Sequence, residues 1–171
     1  MIERNQYDKD GQSLESGLRA ESEFQILAES KGWRVAKSNR DQDIFEHWDF
    51  LITKGEKCRR VEVKSAKKIN RRDVSVQSEW FWVEFRGVRD EGWLNGKADV
   101  IALERETEFW IVRRTDLKKR AERLVDKLQT ASSSAEAKYK LYQRKNRRDL
   151  ISLIEFSKIE DLDKAVWEKV K

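Results

Sequence analysis

Asp49, Glu62 and Lys64 are the residues whose types and spacing point to chemistry. Glu62 and Lys64 are two apart in Val61-Glu62-Val63-Lys64. On a strand they share one face, while Val61 and Val63 turn the other way, into a core. Asp49 precedes Phe50-Leu51-Ile52-Thr53, in which Phe50 and Ile52 face oppositely to it. Lys54-Gly55-Glu56-Lys57, between the two runs, is polar and holds a glycine, as a short hairpin loop should. Pairing the strands puts Asp49 beside Glu62 and Lys64. Two carboxylates and a lysine suit a divalent metal and a phosphate. Magnesium takes oxygen ligands and is typically held by one or two carboxylates, with water and substrate phosphate completing the shell.

The elements that must position these residues follow from periodicity. Residues 14–31 read as a helix, with Gly32-Trp33 as its stop. At about 100° per residue, Leu14, Leu18, Phe24, Leu27 and Ala28 share one broad face. Glu21 falls within that face and Glu23 on the solvent side. A glutamate on the buried stripe is costly unless it meets a metal or a cation; the alternative is that Glu21 sits at the stripe's edge and reaches water. A strand over 33–37 and a polar connection over 38–43 lead to the two site strands. Residues 65–73 are basic and irregular, and 80–85 form an aromatic strand. A turn-rich connection over 87–96 precedes a hairpin of 98–103 with 108–113. Thr115 is a fair N-cap for a helix to about 129. After a serine-rich break at 130–134 come a basic tyrosine-containing stretch, a strand at 150–156 and a short helix from about 158. The expected organisation is a single α/β domain over 1–171, with a basic C-terminal extension from about 130.

Asp49 with Val61-Glu62-Val63-Lys64 resembles the PD-(D/E)XK, or restriction-endonuclease-like, nuclease superfamily. Trp48 stands where the family name has proline, and the chain contains none. Gly17, Glu21 and Gly32 resemble the local pattern of archaeal Holliday-junction resolvases, which favours Glu21 over Glu23 as a helper glutamate. Gly92-Trp93-Leu94 followed by Lys97-Ala98-Asp99 resembles a segment of some phage-type nucleases. The resemblance implies an αβ sandwich with a central mixed β-sheet flanked by helices. It implies a metal-dependent endonuclease hydrolysing DNA phosphodiester bonds. Asp49, Glu62 and the Val63 carbonyl would hold Mg2+ or Mn2+, with Glu21 helping directly or through water. Lys64 would orient or deprotonate the attacking water, or offset developing charge. The catalytic set is then Glu21, Asp49, Glu62 and Lys64. Branched or junction DNA is the expected substrate, and a two-fold dimer the expected assembly. A sequence-specific restriction-type enzyme and a non-catalytic nucleic-acid-binding module on the same fold are the other readings.

The charge distribution agrees with a nucleic-acid partner. Net charge is +5, and the stretch 57–72 holds eight basic residues against one acid, Glu62. The stretch 138–148 holds six basic residues and no acid. Phosphate neutralisation provides most non-specific affinity for DNA, so Lys67, Lys68, Arg71, Arg72, Lys97, Arg144, Lys145, Arg147 and Arg148 are candidate contacts, together with Trp93. Of seven tryptophans, Trp80 and Trp82 share a strand face that is read as packing or a dimer interface. His47, the only histidine, is read as structural, with donation to a phosphate or leaving group as the alternative. Asp99 is expected to support the fold or a metal's outer shell. Cys58 is the only cysteine, which excludes an intrachain disulfide and a cysteine metal cluster. No Gly-rich phosphate loop, zinc signature or Ser-His-Asp order is present. No apolar run reaches the ~20 residues of a membrane span, and Met1-Ile2-Glu3-Arg4 has no signal-peptide character. A cytoplasmic or nuclear protein is the expectation.

Overall fold

A computed structural model of the chain describes residues 11–70 and 72–171. The architecture is mixed α/β, built on a six-stranded sheet. Helix α1 (Gln12–Ser30) leads to β1 (Arg34–Lys37), β2 (Phe50–Lys54) and β3 (Lys57–Lys64), an antiparallel meander. Strand β4 (Trp80–Arg86) leaves this sheet, and the chain returns as β5 (Val100–Glu104), parallel to β3. A hairpin joins β5 to β6 (Glu108–Arg113), which runs into α2 (Arg114–Leu124). Strands β7 (Asp126–Thr130) and β8 (Lys140–Leu141) form a small parallel pair. Strand β9 (Leu150–Glu155) pairs with β4, and β10 (Lys164–Glu168) closes the main sheet against β6. The main sheet therefore runs β1-β2-β3-β5-β6-β10.

Helix α1 ends where the sequence predicts. Gly32 takes φ 82°, the left-handed conformation that glycine reaches at least cost, and the Trp33 amide donates back to the Ala28 carbonyl. Its inner face buries Ala20, Phe24, Leu27 and Ala28 against Phe50, Ile52, Val61, Val63 and Ala102. Fully burying one phenylalanine such as Phe24 contributes about 2–3 kcal/mol. Strand alternation sends the intervening side chains to the other face. There Ile101, Leu103, Trp110 and Val112 pack with Trp93, Leu94, Leu117, Phe81 and Phe156. One face of the sheet thus lies under α1, and the other under α2 with the β4–β9 ribbon.

Several expectations need correction. The helix over 115–129 stops at Leu124, and Thr115 lies inside it with no side-chain cap at its start. Residues 126–130 pair instead with β8. The residues after 158 contain a strand where a helix was expected. Val166 and Trp167 suit an extended edge, and Trp167 stacks on Phe24 with ring centroids 5.5 Å apart. Nor is the chain beyond 130 an appended extension, because β10 is an edge strand of the main sheet and Ile154, Phe156 and Ile159 belong to its core. Trp80 and Trp82 are half-buried. They pack within the chain on Ile69, Tyr139 and Tyr142, the first of the two readings given for that strand face. Among the described residues no helix is long and apolar enough to cross a membrane.

Candidate active site

The register of β2 and β3 builds the centre of the site. Phe50 pairs with Val61, so Asp49 sits one step before that pair, at the end of β3 that carries Glu62 and Lys64. Backbone bonds lock the corner: the Asp49 amide donates to the Val61 carbonyl at 2.8 Å, and Asp49 Oδ2 accepts from the Val63 amide at 2.6 Å. Val61 and Val63 face α1, which sends Glu62 and Lys64 to the opposite side. Asp49 and Glu62 are both buried, at 7% and 4% exposure. Lys64 Nζ forms an ion pair with Glu62 Oε1. Glu62 Oε2 is buried with no hydrogen-bond partner, as are Glu23 Oε2 and Asp149 Oδ1 elsewhere in the fold.

The surroundings are rich in acids. Burial and the neighbouring Glu62 push the Asp49 carboxyl well above the usual carboxylate range, against the pull of Lys64. Glu21 projects from α1 to the edge of this cluster, with Lys37 Nζ 3.7 Å away. Burial raises its pKa, Lys37 opposes, and Asp43 and Glu62 add to the rise. Two further acids were not singled out from the sequence. Asp43 lies in a π-helical turn, Gln42–Glu46, where burial and Glu62 raise its pKa. Glu84, on β4, is raised by burial and drawn down by Lys64 and Arg144. Glu84 had a readable signal, as the lone acid alternating with Trp80 and Trp82 on an aromatic strand. Asp43 had none, because its turn follows no period.

Lys64 is held as a cation. Burial alone would lower its pKa, but Glu62 and Asp49 outweigh that and keep it above the ordinary lysine value. Its ammonium lies 5.5 Å from the centre of the Trp93 ring. Trp93 is itself only 5% exposed, in the 3-10 turn Trp93–Asn95, so it supports Lys64 from below and is closed to a substrate base. Two glycines seat that turn. A Cβ on Gly92 would fall 2.3 Å from the Glu84 carbonyl oxygen, and one on Gly96 would fall 2.8 Å from the Glu46 carbonyl oxygen. Neither position admits a side chain without moving backbone.

The basic candidates occupy different places. Lys67 and Lys68 follow β3 directly. Lys67 Nζ reaches Ser13 Oγ at 3.2 Å, and the Lys68 carbonyl accepts from the Trp82 indole at 3.3 Å. Arg72 is exposed, and Arg71 lies outside the described residues. Lys97 is exposed and pairs with Glu46 at 3.4 Å. Arg144, Lys145, Arg147 and Arg148 sit on one loop between Tyr142 and Ile151. His47 takes φ 56° and its Nε2 lies 3.3 Å from Asp90 Oδ1. Asp99 clamps Arg60, two residues before Glu62, through the backbone amide at 2.7 Å and the guanidinium at 3.2–3.3 Å. Cys58 is exposed.

Among the described residues no three His, Cys, Asp or Glu side chains converge tightly enough to enclose a metal by themselves. Asp49 and Glu62 offer instead what a magnesium site of the open kind uses: hard oxygen donors, one of them without a partner, where water and phosphate would complete the shell. The residues present fit such an ion. No family model, curated protein or solved structure matches the chain.

Proposed function

We propose that this protein is a metal-dependent endonuclease of the PD-(D/E)XK type that hydrolyses DNA phosphodiester bonds, selecting branched or junction DNA by shape. The observation that carries the reading is the convergence of Asp49, Glu62 and Lys64 at one end of β2 and β3, with a buried Glu62 oxygen that no protein group satisfies. A binding module has no use for Asp49 and Glu62 where a phosphate must approach, with Glu21 and Asp43 near enough to feel the charge of Glu62. The mixed sheet, with α1 on one face and α2 on the other, supports a restriction-endonuclease-like arrangement.

Asp49 and Glu62 would hold Mg2+ or Mn2+, with the Val63 carbonyl beside them. Such an ion, when bound, supplies a water of lowered pKa and polarises the phosphate. The Val63 amide fixes the Asp49 carboxylate, so one lone pair is committed and the other oxygen is oriented. Lys64 enters as a positive charge and offsets charge developing on the phosphate. Without the ion, Glu62 and Asp49 favour the protonated form of Lys64. Glu21, at the cluster's edge, orients water from the α1 side.

The test is cleavage of a labelled panel of duplex, single-stranded, flap, fork and four-way-junction DNA in Mg2+ or Mn2+, beside Glu62→Ala. Activity lost in the variant is the expected result. Discrete fragments from a long plasmid would favour the sequence-specific reading. Tight binding with no cutting in any metal would leave the binding-module reading.

A further inference from the structure

The loop between Tyr142 and Ile151 is rooted beside the site. Tyr142 and Ile151 exchange two backbone hydrogen bonds, of 2.8 and 3.0 Å, and Ile151 pairs across the ribbon with Glu84. The loop therefore leaves the fold one strand away from a residue of the acid cluster. Its path is set by a turn in which the Arg147 amide donates to the Arg144 carbonyl at 3.0 Å, with Asn146 at φ 61°. Within it Asp149 is fully buried, and its Oδ2 accepts from Arg144 Nε and forms an ion pair with Arg144 Nη2. Arg144 is itself about one-third exposed, at 36%, and its Nη1 makes no hydrogen bond to a described residue.

A buried carboxylate that grips one edge of a half-exposed guanidinium fixes where the rest of the fork points. Surface arginines without such an anchor lose side-chain entropy on binding a phosphate; this one has already lost it. The charges of Arg144 and of Lys64 both act on Glu84.

We infer that Arg144, held by the buried Asp149, is a preset phosphate-binding group at the mouth of the site, gripping a DNA backbone phosphate next to the one cut. This rests on the nuclease reading and names a contact within it. Asp149 acts through Arg144 and is a positioning residue.

The experiment is fluorescence anisotropy of a labelled fork and a labelled duplex with the full chain in EDTA, titrated over salt, beside cleavage in Mg2+. Arg144→Ala is expected to weaken binding about tenfold and to reduce the slope of log affinity against log salt by about one. Arg144→Lys restores the slope but only part of the affinity, because a lysine cannot share Asp149 in the same way. Asp149→Asn weakens binding in the same direction, and adds nothing in the Arg144→Ala background. A wild-type protein that cuts DNA while Arg144→Ala keeps its slope overturns this inference alone, and a drop in Tm with that unchanged slope assigns the pair to folding. A wild-type protein that neither binds nor cuts the panel overturns both this inference and the nuclease reading.

Discussion

The Lys64 ammonium lies 5.5 Å above the centre of the buried Trp93 ring, and its other neighbour is the Glu62 carboxylate. A cation between an aromatic face and an acid is held in position as well as in charge. Trp93→Leu is expected to cut kcat about fivefold to tenfold with KM little changed, the equivalent of about 1 kcal/mol from the lost ring. Trp93→Phe should keep most of the activity. Single-turnover cleavage of the two variants, read with their Tm values, separates loss of the ring from loss of the fold. Equal rates in wild type and Trp93→Leu would mean that the ring does not serve Lys64.

Lys64→Ala should abolish cleavage while leaving binding in EDTA largely intact. It also leaves two buried carboxylates without their nearest cation, so stability at neutral pH should fall by about 3 kcal/mol, seen as a lower Tm. Near-normal turnover in this variant would sink the assignment of Lys64.

The acid cluster predicts that a divalent cation stabilises the fold. Mn2+ or Mg2+ at about a hundred times its Kd should add about 2.7 kcal/mol, seen as a rise in Tm in the absence of DNA. Glu62→Gln should remove that rise, and Glu23→Gln, at a glutamate that pairs with Arg19 and Lys169 instead, should leave it in place. An identical shift in wild type and Glu62→Gln would place the ion elsewhere.

Glu104 governs a separate pH dependence. It is buried, and accepts from Arg19 at 2.8 and 2.9 Å, from Lys169 at 2.8 Å and from the Ala66 amide at 2.8 Å. Burial would raise its pKa, but Arg19, Lys169 and the Ala66 amide together bring it below the ordinary value. A carboxyl depressed in the folded state binds its proton more readily when unfolded. Its contribution is therefore complete above the unfolded pKa of about 4.3 and is lost as pH falls through the lower folded value. Glu104→Gln should cost about 2–3 kcal/mol at pH 7. The gap to wild type should close below about pH 4. Urea unfolding of both proteins from pH 3 to 7 reads this directly; a gap independent of pH would contradict it.

Much of the site was legible in the sequence because β2 and β3 are neighbours in the chain. Alternation alone put Glu62 and Lys64 on one face, Val61 and Val63 on the other, and the hairpin register brought Asp49 to them. The β5–β6 hairpin and β9 were legible for the same local reason. What escaped depends on distant pairing. Glu84 reaches Lys64 only because β4 quits the main sheet to pair with β9. Trp93, in a glycine-flanked turn, looked like an exposed loop residue until Gly92 and Gly96 drew the backbone against Glu84 and Glu46. Residues 164–168 carry too few side chains to tell helix from edge strand, and β6 decides the matter.

The meeting of Trp167 with Phe24, and of Lys169 with the Glu104 that Arg19 grips, joins nearly the two ends of the described chain. Such long-range closure sets an order in time. During synthesis α1 can form early, but the stacking that holds it against the sheet waits for β10 to be made. Contacts of this sequence separation slow folding, so the helix that carries Glu21 is secured only after β10 arrives. A shortened chain ending before β10 would carry every acid of the cluster and still lack the closing strand that keeps α1 in place.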